Sequence, residues 1–559
     1  MRMTFYNHQK YTKIVPVDKP DRRWPSNSID AAPVWCSVDL RDGNQALIDP
    51  MTATQKLEMF EMLVNVGFKQ IEVGFPAASQ TDFDFVRQLI EQNRIPDDVT
   101  IQVLTQARKE LIERSFESLQ GATKAIMHVY NSTSTVQREQ VFKMSRTEIK
   151  QIAVDGARWV KECAEKQADT LWQFQYSPES FTGTEVDYAV DVCNAVIDVW
   201  QPTEERKCIL NLPATVEVAT PNVYADQIEW FCDNINRRDS IVVSLHTHND
   251  RGCGVAASEL GVLAGADRVE GTLLGNGERT GNMDIVTMGM NLYSAGINPE
   301  LDFSGMDKII NVVERCTALK VHPRHPYAGE LVFAAFSGSH QDAINKCLAL
   351  YKDHEQWEVA YLPIDPRDLG RNYQEVIRIN SQSGKGGVAY VLEQEHGIKM
   401  PRWLQVDFSP IVQAEAEHTE AEVSAEQIAD LFFATYLPHQ ALMSLKSYQV
   451  SRSDQQDSLD AVMLIDGTEH SIKGQGRGVL EAFTAGLKEK TGCDIVIIEY
   501  NEHTLGNHDG SNAMAYVQIS VDTQRVCAAG KSRDILGATL NAILNAVSRS
   551  GKVKTLQAA

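Results

Sequence analysis

Eight short runs rich in β-forming residues recur between residues 33 and 285, and helical patterns separate them. Leu57, Phe60 and Val64 illustrate the helical spacing, because these side chains fall on one face of a helix. Neighbouring parallel strands need a crossover helix, so the alternation predicts a parallel sheet. Eight units favour a closed (β/α)8 TIM barrel, and an open doubly wound sheet is the alternative. The predicted strands are Val34–Leu40, Gln70–Phe75, Thr100–Thr105, Ala125–Tyr130, Thr170–Tyr176, Cys208–Pro213, Ile241–His246 and Arg268–Leu274.

A weak internal repeat marks the C-terminal part of the chain. Residues 458–488 run as β-like segments, a glycine-bearing turn and a helix, and residues 514–545 repeat this plan. The matching glycines, Gly474 and Gly530, lie 56 residues apart. Two copies of a β-β-β-α unit predict a pseudo-symmetric α+β module that builds one sheet with helices on one face.

These patterns divide the chain into four segments. A polar N-terminal extension (1–32) precedes the predicted barrel (33–305), and a mostly helical linker region (306–436) leads to the duplicated module (437–559). A chain of 559 residues is too long for one compact core, which agrees with this division.

Charge and composition narrow the class of partner. The formal net charge of −22 disfavours nucleic acid or an anionic membrane, and an anionic substrate would need a local positive centre. No apolar run approaches the length of a membrane span, and the polar first residues lack the apolar core of a secretory signal. The ten cysteines form no C-x-x-C pair, which is typical of free thiols in a reducing compartment. We therefore expect a cytoplasmic protein.

Polar and ionisable residues cluster where the predicted strands end. In a barrel of this kind the loops that follow the strands form the active site, so these residues are predicted to meet at one mouth. Packing alone does not account for such residues at strand after strand. They are Arg41, Asp42 and Asn44 after the first strand, Glu72 on the second, His128 on the fourth, Gln175 and Glu179 on or after the fifth, Thr215 after the sixth, His246 to Asp250 on or after the seventh and Gly275 to Asn282 after the eighth.

The pair His246 and His248 is the strongest single indication of chemistry. Alternate residues of a strand point to one face, so both imidazoles project into the barrel mouth. A carboxylate from Asp42 and an amide oxygen from Asn282 complete a predicted divalent-metal site. Two histidines hydrogen-bonded in a polar loop are the alternative. Imidazole and oxygen ligands suit Zn²⁺, Mn²⁺, Co²⁺ or Mg²⁺, and these residues do not choose among them.

Two further features each admit two interpretations. Arg41 either forms a buried ion pair that holds the first strand, or faces negative charge that develops during a reaction while Glu72 orients it. The glycines around Arg279 either form turns or let the backbone approach a metal or an anion closely.

Four motifs in these positions resemble the DRE-TIM metallolyases, and in particular the longer form of the isopropylmalate synthases. The Asp, Arg and Glu that name the group correspond to Asp42, Arg41 and Glu72. The likeness runs over nearly the whole chain, including the N-terminal extension and the duplicated module. Many relatives have Glu where this chain has Asn44; the longer isopropylmalate synthases share the Asn, and its role stays open. The motifs are LRDGNQAL (40–47), IEVGFPAASQTDFDFVR (71–87), SLHTHNDRGCGVA (244–256) and GNGERTGNMD (275–284).

The resemblance implies a role for each residue at the predicted mouth, and it implies a homodimer. His340 and Tyr373 are implied to reach the active site of the partner subunit. The implied cofactor is a divalent metal, with Mg²⁺ ahead of Mn²⁺, Co²⁺ or Zn²⁺, and activation by a monovalent cation is left open. The implied metal ligands are Asp42, His246, His248 and Asn282, and the implied contacts to a 2-oxo acid are Arg41, His128 and Thr215.

The implied reaction condenses acetyl-CoA with 2-oxoisovalerate, as the committed step towards leucine. A base removes a methyl proton from acetyl-CoA, the enolate attacks C2 of the 2-oxo acid, and water hydrolyses the thioester. Glu179 and His340 are both candidates for the base, and Tyr373 is a further catalytic candidate. The duplicated module resembles a leucine-binding regulatory domain, so we expect leucine to inhibit. Its predicted pocket lies near Leu480, Tyr500 and Ala513.

Three other functions share parts of this pattern. Homocitrate and citramalate synthases use the same barrel and chemistry on another 2-oxo acid. A 3-hydroxy-3-methylglutaryl-CoA lyase runs a related reaction in reverse and would not need the duplicated module. A catalytically inactive barrel could serve as an amino-acid sensor, but the complete set of Asp42, His246 and His248 argues against it.

Overall fold

The chain divides into two compact units. The computed structural model describes residues 7–335, 337–353, 356–371, 385–419, 423–438, 442–453, 455–505 and 512–552. The first unit comprises residues 1–332 and 367–371, and the second comprises 333–366 and 372–559. The first unit therefore extends beyond residue 305, where the sequence pattern suggested that the barrel ends.

Eight parallel strands form a closed barrel in chain order, with β1 paired to both β2 and β8. This confirms the closed barrel and excludes the open doubly wound sheet. The strands are β1 (Val34–Ser37), β2 (Gln70–Gly74), β3 (Thr100–Gln106), β4 (Lys124–Ser132), β5 (Leu171–Glu179), β6 (Cys208–Ala214), β7 (Ile241–Thr247) and β8 (Arg268–Gly271). The helices are α1 (Ala53–Val66), α2 (Gln80–Glu91), α3 (Lys109–Ser118), α4 (Arg146–Lys166), α5 (Val186–Trp200), α6 (Pro221–Asn234), α7 (Gly254–Leu263), α8 (Ile285–Ser294) and α9 (Met306–Thr317).

The first and last strands of the barrel end earlier than the sequence pattern predicts. A π-helical turn, Asp39–Gly43, follows β1, and a short 3-10 turn, Leu273–Gly275, follows β8. The buried Asp39 carboxylate joins the two turns, because its Oδ1 accepts a hydrogen bond from the Leu273 amide at 3.1 Å. Burial raises the pKa of Asp39 to about 7. The early end of β1 places Arg41 and Asp42 on a turn at the barrel mouth.

Side-chain caps explain where several helices begin. Thr52 accepts a hydrogen bond from the Gln55 amide while the Gln55 side chain accepts one from the Thr52 amide, which is a capping box at α1. Ser145 and Glu148 form the same arrangement at α4. Gly67 ends α1 at φ +116°, a conformation that favours glycine. Local sequence therefore determines both ends of α1.

Polar side chains fill much of the barrel interior, where branched apolar residues are usual. Arg268 is fully buried and its guanidinium donates to Ser244, Glu270, Gln70 and Gln102. Buried charges persist only when they are paired and hydrogen-bonded, and these groups satisfy each other across several strands. The barrel therefore has a polar lumen, which consists of the buried residues Glu72, Gln102, His128, Gln175, Asn211, Ser244, Arg268 and Glu270.

The second unit contains a helical segment followed by the duplicated module. Its helices are α10 (Gly338–Leu350), α11 (Lys385–His396), α12 (Arg402–Thr419) and α13 (Ala425–Tyr436). The first repeat is β9 (Met443–Ser451), β10 (Asp457–Ile465), β11 (Thr468–Gly476) and α14 (Val479–Thr491). The second repeat is β12 (Ile495–Thr504), β13 (Ala513–Val521), β14 (Gln524–Ser532) and α15 (Ile535–Arg549). This confirms the β-β-β-α duplication.

The prediction of one continuous sheet in the module is wrong. Each repeat forms its own three-stranded antiparallel sheet, in the orders β11-β10-β9 and β12-β13-β14. Both repeats instead contribute to one hydrophobic core, with Leu459 and Phe483 from the first and Val517 and Leu544 from the second. A sequence repeat predicts the structure of each β-β-β-α repeat, but the way in which two repeats join depends on their packing surfaces.

All ten cysteines are free thiols. Among the helices that the structure describes, none combines the length and the hydrophobicity that crossing a bilayer requires.

Candidate active site

Three side chains converge at the mouth of the barrel. His246 is the second-last residue of β7, His248 follows that strand directly, and Asp42 lies on the turn after β1. The His246 Nε2 atom lies 3.1 Å from Asp42 Oδ2 and 3.2 Å from His248 Nε2, and the third side of this triangle measures 3.6 Å. All three residues are buried. His246 and His248 therefore converge on Asp42, as the sequence analysis predicts.

The dimensions of this triangle fit a divalent cation. Metal–ligand distances of about 2.0–2.2 Å with angles between about 90° and 110° place neighbouring ligand atoms roughly 3.0–3.5 Å apart. Asn282 adds a fourth group, since its Nδ2 donates to Asp42 Oδ2 at 2.7 Å and its buried Oδ1 has no partner among the described residues. A half-turn of this amide exchanges its nitrogen and oxygen and presents an oxygen ligand to the triangle. Buried acceptors without donors are rare, and a cation would satisfy this one.

Asp42 is held in its ionised form by Arg41. The Arg41 Nη1 atom lies 2.8 Å from Asp42 Oδ1, so the two carboxylate oxygens have separate partners. Burial favours the neutral acid, but Arg41 and His246 outweigh it and hold the pKa of Asp42 well below its usual range. Arg41 also donates through Nε to Glu72, and Glu72 accepts from His128 Nδ1 at 2.8 Å. Both interpretations of Arg41 therefore fit, as an ion-pair partner and as a cation at the mouth.

The two histidines of the triangle have opposite electrostatic environments. Burial disfavours charge on His246, but hydrogen bonds to Asp42 and Glu270 raise its pKa to about 9. Burial and the neighbouring His246 lower the pKa of His248 to about 4. Without a cation the pair thus shares one positive charge between the two rings. Metal binding replaces that proton with a cation.

Glu270, on β8, is a functional residue that the sequence analysis missed. Its Oε2 lies 2.8 Å from His246 Nδ1, which leaves Nε2 of the same ring facing Asp42. Arg268 lies 2.6 Å from the other oxygen of Glu270 and holds its pKa well below the usual range against the opposing effect of burial. A carboxylate that orients a metal-binding histidine is a recurrent element of metal sites. The signal in the sequence is the charged pair Arg268 and Glu270 inside a short strand.

The buried charges around the triangle leave a net negative site. Three carboxylates, on Asp42, Glu72 and Glu270, face two guanidinium groups, on Arg41 and Arg268. Without the proton on His246 these groups carry a net charge of −1, so a cation that replaces this proton meets a favourable site.

A cavity of about 920 Å³ opens above the triangle. Thr215 Oγ1 accepts a hydrogen bond from the Ser180 amide at 2.9 Å, and Ser132 donates to the carboxylate of Glu179. The cavity is lined by many of the residues predicted to meet at the mouth, namely Arg41, Asp42, Asn44, His128, Glu179, Thr215, His246, His248, Glu278 and Arg279. Its apolar wall consists of Pro50, Met51, Phe75, Ala78, Leu104 and Pro213.

A side-chain hydrogen bond and a buried ion pair support the loops at this mouth. The buried Asn44 side chain accepts a hydrogen bond from the Met51 amide at 2.7 Å, so it closes the loop after β1. Lys56 is 1% exposed and forms an ion pair with Asp82, and its ammonium also lies 3.4 Å from the carbonyl of Leu40. Neither contact was predicted from the sequence.

Four predicted residues lie elsewhere in the described part of the chain. His340 lies in the first turn of α10 in the second unit, where its ring stacks on Tyr361 with centroids 3.9 Å apart. Tyr373 lies outside the described residues. In the module, Leu480 packs partly buried against the core, Ala513 is 1% exposed, and Tyr500 is 54% exposed. Ala513 thus belongs to the hydrophobic core, where only a small apolar side chain fits.

Comparison with known proteins agrees with this architecture segment by segment. The HMGL-like family model matches residues 32–313. A model described as the post-catalytic domain of alpha-isopropylmalate synthase matches 330–393, and the LeuA allosteric (dimerisation) domain matches 422–550. The barrel and its site therefore define an enzyme of the HMGL-like class, which depends on a divalent metal.

Full-length relatives narrow the class further. The chain is 54% identical over 547 residues to a 2-isopropylmalate synthase of Alcanivorax borkumensis, covering 97% of this chain and 98% of that protein. It is 55% identical over 543 residues to one of Pseudomonas savastanoi, covering 97% of each chain. A third, from Parafrankia, is 55% identical over 552 residues, with 97% and 98% covered. The chain belongs to the 2-isopropylmalate synthase family.

Proposed function

We propose that acetyl-CoA, 2-oxoisovalerate and water react in the cavity at the barrel mouth to give 2-isopropylmalate and CoA. A carbon–carbon bond forms between the acetyl methyl carbon and C2 of the 2-oxo acid, and hydrolysis then breaks the thioester. The triangle of Asp42, His246 and His248 inside the cavity carries this proposal. Membership of the 2-isopropylmalate synthase family relates this reaction to leucine synthesis.

Different residues of the cavity would bind the cation, stabilise the developing charge and hydrogen-bond to the 2-oxo acid. Asp42, His246, His248 and Asn282 would hold a divalent cation, which polarises the keto group when bound. The mixed nitrogen and oxygen donors are compatible with Mg²⁺, Mn²⁺, Co²⁺ or Zn²⁺ and do not rank them, so family resemblance alone puts Mg²⁺ first. Arg41 faces the negative charge that develops on the C2 oxygen, and Glu72 holds its guanidinium in place. His128 and Thr215 line the same cavity and supply hydrogen bonds to the carboxylate of the 2-oxo acid.

Glu179 is the candidate base that the cavity itself contains. It lies partly buried at the end of β5 and lines the cavity that the proposed substrates would occupy. His340 and Tyr373 remain candidates that a partner subunit would supply, by family resemblance. Loss of more than 100-fold in kcat for Glu179→Gln, with unchanged binding of the 2-oxo acid, would assign the base. A larger loss for His340→Ala than for Glu179→Gln would assign it to the helical region.

The apolar wall of the cavity supports a branched substrate. Leu104, Phe75 and Pro213 offer carbon surface to an isopropyl group. The cationic side chains that line the cavity, those of Arg41, Lys56 and Arg279, are each paired with a carboxylate, which disfavours the second carboxylate of 2-oxoglutarate. One methyl group in such a pocket changes specificity by roughly 1–3 kcal/mol, so slow use of smaller 2-oxo acids is expected. Citramalate synthase activity is the second candidate for this reason.

Thiol release from acetyl-CoA with a panel of 2-oxo acids tests the proposal. We expect the highest kcat/KM with 2-oxoisovalerate, and loss of activity when a chelator removes the metal. His246→Ala and Asp42→Ala should lose both bound metal and turnover, measured on the same samples. A clear preference for 2-oxoglutarate or pyruvate would reassign the enzyme to homocitrate or citramalate synthesis. Full activity in a metal-free variant would refute the role of the triangle.

The C-terminal module supports regulation by leucine in a homodimer. Its fold is that of the LeuA allosteric (dimerisation) domain, and its two repeats are related by an internal pseudo-symmetry. We infer that leucine, the product of the pathway, binds this module, with the exposed Tyr500 near the pocket.

The barrel also presents exposed apolar residues on the loops of its catalytic face, which favours cover by a second copy of the chain. These residues are Ile48, Val136, Val141, Phe142, Val216 and Val218.

A further inference from the structure

Three adjacent loops at the barrel mouth carry Thr215 (after β6), His248 (after β7) and Asn282 (after β8). Backbone hydrogen bonds join the second loop to the third, because Asn249 N donates to Gly281 O at 3.0 Å and Met283 N donates to Thr247 O at 2.8 Å. Main-chain hydrogen bonds therefore support the metal-binding side of the mouth directly.

The loop that carries Thr215 begins after Ala214, whose carbonyl accepts a hydrogen bond from the His248 amide at 3.3 Å. From Thr215 onwards side-chain contacts hold this loop, above all those of Arg279. Arg279 Nη2 donates to the Thr215 carbonyl at 2.6 Å, and its Nε donates to Asp250 Oδ1 at 2.7 Å. Asp250 Oδ2 in turn accepts from the Glu217 amide at 3.0 Å. Arg279 has φ +57°, an unusual conformation for a residue other than glycine, and the flanking glycines permit the tight loop around it. One guanidinium thus ties the loops after β6, β7 and β8.

We propose that Arg279, fixed by Asp250, is a positioning residue that holds Thr215 against the 2-oxo acid. The proposal rests on the function proposed above, since it assumes that a 2-oxo acid occupies the cavity lined by Thr215. The effect extends one residue further, because Thr215 Oγ1 accepts from the amide of Ser180, which follows Glu179. Arg279 therefore acts on substrate geometry through Thr215, while Asn282 and the two histidines keep their own backbone supports.

Arg279→Gln, Arg279→Lys and Asp250→Asn test this role, with Arg238→Gln as the control. Arg238 makes the same kinds of contact, to the Gly265 carbonyl and to Asp267, and is similarly exposed, but it precedes β7 at the opposite end of the barrel. Calorimetry with the divalent cation present and acetyl-CoA absent measures the Kd for 2-oxoisovalerate, and a separate titration measures the Kd for the cation. We expect Arg279→Gln to raise the first Kd by about 10-fold to 100-fold, as a misplaced binding group does, and to leave the second within about 2-fold. Arg279→Lys should recover part of this loss.

A double-mutant cycle separates positioning from general stabilisation. In a Thr215→Ala background, Arg279→Gln should change the Kd for the 2-oxo acid by less than about 2-fold, because the group that Arg279 positions is gone. An equal effect in both backgrounds, or a parallel loss of cation affinity, overturns the positioning role. If the wild-type protein binds a different 2-oxo acid, the double-mutant cycle is run with that ligand. The proposed substrate and the positioning role of Arg279 can then be refuted independently. A wild-type protein that binds no 2-oxo acid overturns both.

Discussion

Asp42 uses its two carboxylate oxygens for different tasks. Oδ1 pairs with Arg41, and Oδ2 faces the imidazoles of His246 and His248. A buried carboxylate pays a large desolvation cost unless it is paired, so Arg41 preserves the charge that the metal site requires. Removing Arg41 would therefore weaken both the stabilisation of the reaction and the cation site.

Glu270→Gln should weaken cation binding by about 10–100-fold, because the amide no longer fixes the tautomer of His246 as a carboxylate does. Calorimetric titration with Mg²⁺ and Mn²⁺ measures the change. Glu229→Gln is the matched control, since Glu229 is a similarly buried carboxylate on α6 whose hydrogen bonds and ion pairs go to the N-terminal extension. Equal cation affinity in wild type and Glu270→Gln would show that Glu270 serves only to neutralise Arg268.

Individual residues differ in how far the sequence predicts them. The alternation rule placed His246 and His248 on one face, and both meet Asp42 as predicted. Glu270 was not predicted, because its contact with His246 depends on the pairing register of β7 and β8. The leucine pocket was predicted near Ala513, which remains a prediction, and the structure adds that Ala513 is buried in the core of the module, a property that the local pattern does not predict. Asn44 acquires a role only in the folded loop, through the Met51 amide.

At the scale of whole elements, ion pairs fasten the N-terminal extension to α6. Arg22 forms a two-point contact with the buried Asp226 at 2.6 and 2.8 Å, and the Trp24 indole donates to the same carboxylate. Lys19 is buried and lies 2.9 Å from Asp233. The acidic face of α6 therefore explains why a polar, basic extension has an ordered place on the barrel.

Asp226→Asn should release this extension. The change removes charge from an acceptor of three hydrogen bonds, and we expect it to lower the free energy of unfolding by about 1–3 kcal/mol. Limited proteolysis near residues 19–24 and thermal unfolding measure the release. Asp21→Asn, at an exposed carboxylate, should leave both unchanged. Unaltered proteolysis of Asp226→Asn would mean that the extension is held by other contacts.

In the module, matched glycines bring each third strand close to its helix. A Cβ atom on Gly474 would lie 1.9 Å from the Ala482 carbonyl, and one on Gly530 would lie 2.1 Å from the Ala538 carbonyl. Both glycines and both alanines are 56 residues apart, so the sequence repeat reflects one recurring strand–helix contact.

Gly474→Ala should destabilise the module by at least about 1–3 kcal/mol, because backbone has to move to admit the methyl group. Gly478→Ala is the control, since no atom lies within 4 Å of the position of its Cβ and its backbone is extended. Chemical denaturation followed by hydrogen exchange within β11 and α14 measures both. Equal stability of the two variants would contradict the close-approach explanation.

At the scale of the whole molecule, chemistry and regulation reside in separate compact units. The cation triangle and cavity belong entirely to the first unit, and the duplicated module belongs to the second. Under the proposed regulation, leucine bound to the module acts on the barrel through a coupling free energy, typically about 1–3 kcal/mol. Any loss of substrate affinity that leucine causes implies an equal loss of leucine affinity when substrate is bound.

Leucine should bind the wild-type protein and lower its rate, and Tyr500→Ala should weaken this inhibition by about 5–150-fold while uninhibited turnover stays near wild type. Tyr500 is a clean probe because it is exposed, whereas Ala513→Asp would bury a carboxylate in the core. Tyr11→Ala, an exposed tyrosine of the N-terminal extension, is the control. Calorimetry and inhibition curves provide the measurements. Absence of leucine binding to wild type would end the assignment of the module as a leucine sensor.

The sequence by itself determined the elements that depend on short-range patterns: eight alternating units, the two-histidine motif, the helix caps and the duplicated module. Each follows from periodicity or from contacts within a few residues, and these do not depend on how distant parts of the chain come together. Tertiary structure alone decided which distant side chains meet, such as His246 with Glu270 and Thr215 with Arg279. It also decided that the module contains two sheets rather than one. Barrel closure and core packing set these contacts, and both depend on the register and shape of surfaces far apart in the chain.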